Sequence, residues 1–177
     1  MTYRDVLLEL SRKYNGNRND IFKHIEKKEP PGKNAEEVEE RGKDFKEKFI
    51  TLMDDEYPNL IKKSCSTPPF VLYYRGNINL LNSRKKKLAV IGSRKSSQYG
   101  EYATEKIISK LPDDVIIVSG AAKGIDTVGI KAALCTNKKV IAVIGSAIDS
   151  YYPKENIDLF NEILKAGGLI IRILTNN

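Results

Sequence analysis

From Lys87 onward, apolar runs and amphipathic stretches alternate along the chain. "LAVIG" (88–92), "VIIVSG" (115–120), "VIAVIG" (140–145) and "LIIRIL" (169–174) are almost continuously apolar. Short runs without polar alternation read as strands buried on both faces. Between them, apolar positions recur at helical spacing: Ala103, Ile107 and Leu111 in a helix over roughly 100–111, and Ile157, Phe160 and Leu164 in one over roughly 154–166. A third helix is predicted over roughly 124–135. Strands alternating with amphipathic helices specify a parallel sheet covered on both faces. The predicted class is α/β, a Rossmann-like parallel sheet of about four core strands with a small N-terminal helical appendage.

That appendage is residues 1–48. "TYRDVLLELSRKY" (2–14) puts Val6, Leu7, Leu10 and Tyr14 on one helical face. "DIFKHIEKK" predicts a second helix, capped by Asp20, that lays Ile21, Phe22 and Ile25 against the first. "EPPGKN" breaks the chain, and "AEEVEERGKDFKEKF" is helical with only Val38, Phe45 and Phe49 able to pack. So few apolar residues cannot support an independent domain. Residues 49–177 form the core domain; its first part, 49–83, reads as mostly extended, punctuated by Pro58, Pro68, Pro69 and Gly76.

Charge singles out one block. The net charge is +7, yet residues 57–100 hold nine Lys/Arg and no carboxylate, while 101–177 balance nine against nine. A one-signed stretch attracts polyanions, although it also serves solubility. Cys65 and Cys135 lie far apart and lack metal-type spacing, which predicts buried or half-buried thiols in a reducing, cytoplasmic setting and no metal site. With His24 as the lone histidine, histidine-dependent triads are excluded from the core. No apolar run approaches the roughly 18 residues of a membrane span, and no membrane association is expected.

The chemistry should lie where strands turn into helices, because ligands of such sheets sit beyond the strands' carboxyl ends. Helix N-termini there favour anions. Three loops converge: "GSRKSSQYG" (92–100), "SGAAKGID" (119–126) and "GSAIDSYYP" (145–153). Gly92, Gly120 and Gly145 allow close backbone approach, Gly124 is a further candidate for phosphate binding in the second loop, and Ser93, Ser119 and Ser146 add hydroxyls. Arg94, Lys95 and Lys123 add positive charge, arginine as a bidentate fork and lysine as a point charge. Glycines alone would be explained by tight turns; cations beside hydroxyls make the three loops a candidate phosphate site. No G-x-G-x-x-G, no P-loop and no G-x-S-x-G elbow follows these strands, and Asp126 reads as a loop-ordering or N-cap residue. Binding groups are present without an evident catalytic set, so no enzyme activity and no cofactor are expected.

Four stretches in order, "TLMDDEYPNLIKKSCSTPPFVLYYRGN", "LAVIGSRKSSQYG", "VIIVSGAAKGIDTVGIKAAL" and "VIAVIGSAIDSYYPKEN", resemble the DNA processing protein A (DprA/Smf) family over roughly residues 50–170. The resemblance implies a protein of natural transformation (competence) and DNA recombination. It would bind single-stranded DNA without sequence preference and hand it to RecA. It also implies that Arg94 and Lys123 hold phosphates, while Tyr73, Tyr74 and Tyr99 are candidates for base stacking, against a plain packing role for each. Departures are Ile130, where the family usually has histidine, and "IRIL" in place of its Ser-Glu-Tyr-Pro, after which the chain stops at Asn177. The family's later strands and its dimerisation and RecA surface are then missing, as in a shortened relative or a remnant. The alternative is a sensor of a nucleotide-derived small ligand, or a protein like the LOG phosphoribohydrolases of the same superfamily, although their Pro-Gly-Gly-x-Gly-Thr stretch is absent. In a 3-2-1-4 strand order "LIIRIL" would lie at a bare sheet edge, which predicts a homodimer or poor solubility.

Overall fold

The four apolar runs form four parallel strands in the computed structural model of the chain, which describes residues 2–28, 48–145 and 153–174. Two compact units emerge, one within residues 1–74 and 173–177, the other within 75–172. The α/β, Rossmann-like class expected from the sequence is the one observed.

The second unit carries β3 (Lys87–Ala89), α4 (Gln98–Ser109), β4 (Ile116–Ser119), α5 (Ile125–Cys135), β5 (Val140–Ile144), α6 (Ile157–Lys165) and β6 (Leu169–Arg172). The four strands lie in sequential order, with Leu88 beside Ile117, Val118 beside Ile141 and Ala142 beside Ile170. This replaces the expected 3-2-1-4 order. Parallel crossovers are right-handed, so three of them in one direction set α4, α5 and α6 on the same face of the sheet. Among the described residues the edge strand of the parallel part is therefore β3 and not "LIIRIL": at the start of β6, Asn77 donates its N–H to the Gly168 carbonyl at 3.0 Å. Ile116, Ile117, Val140, Ile141, Leu169 and Ile170 are buried, whereas the three residues of β3 are exposed.

Two helical faces differ from the spacing read in the sequence. In α4, Ile108 is buried and Ile107 is 60% exposed. In α6, a 3-10 turn over Lys154–Asn156 delays the helix start, so Leu159, Phe160 and Ile163 point inward while Ile157 is exposed.

The first unit holds α1 (Tyr3–Lys13), α2 (Arg18–Glu26), β1 (Lys48–Thr51), a short α3 (Asn59–Ser64) and most of β2 (Val71–Gly76). β1 and β2 pair antiparallel, with Phe49 opposite Tyr73. Helix α1 buries Leu7, Leu8 and Leu10, and Thr2 and Asp5 close a capping box at its start. The hydrogen bonds from Thr2 hold the Asp5 carboxyl below its ordinary value. The cap of α2 is Asn17 and not Asp20, and its inward residues are Ile21 and His24, with Phe22 and Ile25 largely exposed. Both cysteines are exposed, contrary to expectation, because each sits at or just past a helix end. Most of the charged third helix expected at 35–49 lies outside the described residues; Phe49 is in β1.

Candidate nucleic-acid interface

The first two glycine loops, both in the second unit, are locked together through their backbones. Gly124 has φ +78°, and a Cβ there would fall 2.2 Å from the Ser93 carbonyl oxygen and 2.9 Å from the carbonyl carbon of Arg94. Only a residue without a side chain permits this approach. Next to it, Ile125 donates its N–H to the Ser93 carbonyl at 3.1 Å. A Cβ on Gly92 would in turn meet the Ile125 side chain at 2.7 Å. The turn carrying Arg94 and Lys95 thus rests directly on the turn carrying Lys123.

A buried carboxylate orders this junction. Asp126 is 5% exposed; one oxygen accepts from the Gly92 N–H at 3.2 Å and the other from the Ala122 N–H at 3.4 Å. The Ser93 hydroxyl donates to the Lys95 carbonyl at 2.8 Å and accepts from the Lys95 N–H at 3.1 Å. The N–H groups of Gly92, Lys95, Ala122 and Ile125 are therefore engaged within the protein. What the rim offers a phosphate is chiefly side-chain charge. Arg94 and Lys95 are exposed and have no carboxylate partner among the described residues.

Lys123 is different. Its Nζ lies 2.9 Å from Glu155 Oε1, both side chains being more than half exposed. This hydrogen bond lowers the Glu155 carboxyl below its ordinary value. Adjacent Asn156 is 6% exposed and donates through Nδ2 to the Ala121 carbonyl and to Thr127 Oγ1, each at 2.9 Å. The Thr127 hydroxyl in turn donates to the Ala122 carbonyl at 2.7 Å. This clamp holds Ala121 in a left-handed conformation, φ +54°. Neither Glu155 nor Asn156 stood out in the sequence; they lie about thirty positions from the loop they serve, and only the proline-led "PKEN" turn marked the place.

The remaining candidates divide. Gly120 and Gly145 are exposed at strand ends, and a Cβ on Gly120 would stand 3.0 Å from Asp126 Oδ2. Ser119 is buried, its hydroxyl without a hydrogen-bond partner among the described residues, so it does not reach a phosphate at the surface. Ser146 lies outside the described residues. Tyr99 is 80% exposed and Tyr74 half-buried, but Tyr73 is wholly buried in β2 and has no face to offer a base. For Tyr73 the packing role holds. No cluster able to hold a metal ion occurs among the described residues, and none of their helices is long and apolar enough to cross a membrane.

Comparison with known proteins points to one family. The family model for DNA recombination-mediator protein A matches residues 48–177. DNA processing protein DprA of Streptococcus pneumoniae is 44% identical over 107 residues, which cover 60% of this chain and 37% of the relative. Protein Smf of Borreliella burgdorferi is 38% identical over 130 residues, 71% of this chain and 40% of the relative. The crystal structure of the S. pneumoniae protein superposes with a TM-score of 0.68 at 33% identity, covering 97% of this chain and 62% of that one. A DNA processing protein A structure from Helicobacter pylori, described for its single-stranded DNA binding mode, gives 0.58 at 27% identity, covering 76% and 58%. The chain spans about two fifths of the length of these curated relatives.

Proposed function

The chain belongs to the DNA recombination-mediator protein A family, and from that premise we propose that it binds single-stranded DNA without sequence preference, as an accessory protein of DNA uptake and recombination. The observation that carries the reading is the backbone junction at Gly124, which stacks the Arg94–Lys95 turn on the Lys123 turn. Three cations on two interlocked turns suit consecutive phosphates of one strand, and the H. pylori relative supports that ligand.

The test is fluorescence anisotropy with labelled oligo-dT and with a mixed-sequence oligonucleotide. Three neutralised phosphates predict a salt slope of about −2, hence an affinity loss of about 20-fold between 50 and 200 mM salt. Arg94→Ala should weaken both oligonucleotides alike and flatten that slope by about 0.7. Unchanged binding by both Arg94→Ala and Lys123→Ala would overturn the assignment. Tighter binding of mononucleotides than of oligonucleotides would point instead to the small-ligand alternative.

A further inference from the structure

One buried carboxylate grips the backbone beside both cationic turns. Asp126 is the second residue of α5, where an acidic side chain ordinarily serves the start of its own helix. Gly124, the cap of α5, supplies no side-chain bond, and Asp126 does not take over that task. Its oxygens accept from outside the helix: Oδ1 from the Gly92 N–H at 3.2 Å and Oδ2 from the Ala122 N–H at 3.4 Å. Gly92 stands two residues before Arg94, and Ala122 immediately before Lys123. Ala122 is held a second time from α5, since its carbonyl accepts from Thr127 Oγ1 at 2.7 Å. Gly120 leaves room for the carboxylate, because a Cβ there would stand 3.0 Å from Asp126 Oδ2.

Charge alone disfavours this residue here. A carboxylate buried to 5% exposure beside a rim that attracts phosphates repels the ligand. Geometry supplies the compensating reason. An ionised Asp offers two accepting oxygens, one for each turn. An amide of the same shape offers a single accepting oxygen, and its NH2 would face one of the two N–H groups. Both bonds together therefore require the acid.

We propose that Asp126 is a positioning residue for nucleic-acid binding: by tying Gly92 to Ala122 it makes the two turns one body, so that Arg94 and Lys123 meet a strand as a preorganised pair. This role rests on the reading of the rim as a single-stranded DNA site. Asp126 is too buried to touch the strand and acts through the two cations.

Anisotropy with labelled oligo-dT on the whole chain tests this through the sign of one effect. Asp126→Asn removes a negative charge, which by itself would tighten binding, and one of the two backbone bonds, which would loosen the pair. Binding at low salt should weaken by about threefold to tenfold. A double-mutant cycle gives a second readout. In the parent, Arg94→Ala and Lys123→Ala combined should lose less affinity than the product of their single losses, because a preorganised pair is forfeited only once. In the Asp126→Asn background the single losses should multiply. Equal or tighter binding by Asp126→Asn, with a melting curve that shows it folded, would overturn the proposal. So would coupling that persists in that background. Single losses that multiply in the parent would overturn it too, and that measurement does not require any Asp126 variant to fold. If neither Arg94→Ala nor Lys123→Ala weakened binding at all, the DNA reading itself would fall, and the role of Asp126 with it.

Discussion

Lys123 brings its positive charge to the rim already shared with Glu155 at 2.9 Å. A phosphate proposed to take Lys123 shares that ammonium with the carboxylate, whose pKa is lowered from its ordinary value because Lys123 hydrogen-bonds it. Glu155→Gln removes the competitor and one negative charge from the rim. Affinity for oligo-dT should rise about twofold to fivefold at low salt, the scale of an exposed ion pair, and converge with the parent's at high salt. Titration by anisotropy at two salt concentrations checks this; weaker binding by the variant would mean that Glu155 orients Lys123 and does not compete for it. Tyr57 makes a second prediction at this scale. It is fully buried, donates its hydroxyl to the Pro69 carbonyl at 2.7 Å, and burial pushes its ionisation up to about 12 from 10.0. The folded chain thus holds a proton that the unfolded chain releases, so this contribution is intact below pH 10 and is lost as pH rises towards 12. Melting curves between those pH values should fall less steeply for Tyr57→Phe than for the parent.

At the scale of elements, loops and helix starts fix one another more than the strands do. Asn156, at the head of α6, satisfies the Ala121 carbonyl and Thr127 Oγ1 together. Asn156→Ala strands a buried acceptor and should cost about 1–3 kcal/mol in urea unfolding, with oligo-dT affinity falling as the Lys123 turn loosens. Asn156→Asp, which cannot donate, should do no better. The sequence made the strands legible, because uninterrupted apolar runs such as "VIAVIG" have few other ways to bury themselves. Strand order was not legible, since the apolar pattern of a strand says that it has neighbours without saying which. On the inward face of α6 Phe160 was legible, but Leu159 and Ile163 are buried where Ile157 and Leu164 were expected, because a 3-10 turn delays the helix start and carries no apolar signature of its own. Gly124 was legible only as a candidate site residue, because its partner, the Ser93 carbonyl, is a backbone atom that no side-chain pattern reveals. The Asn156 clamp was illegible for a related reason: it joins residues about thirty positions apart.

For the whole molecule, the excess positive charge has two places to act. Arg94 and Lys95 stand at the rim, whereas Arg84, Lys85, Lys86 and Lys87 gather at the opposite end of β3. From Lys87 to Gly92 an extended chain covers about 17 Å, more than a Debye length at 0.1 M salt. The distant cluster therefore contributes to the field that draws a polyanion in, and little to holding it once bound. Replacing Lys85, Lys86 and Lys87 together by Gln should slow association with oligo-dT several-fold at 20–50 mM salt and leave dissociation unchanged. Arg94→Ala should do the reverse and mainly speed dissociation, because in the proposed binding mode its guanidinium is a contact. Stopped-flow association and competitor-chase dissociation separate the two effects. At 0.5 M salt, where the Debye length has shrunk to about 4 Å, the triple variant should associate as fast as the parent. Faster dissociation of the triple variant at low salt would mean that the bound strand runs the length of β3, and the distant cluster would then have to be counted among the phosphate contacts.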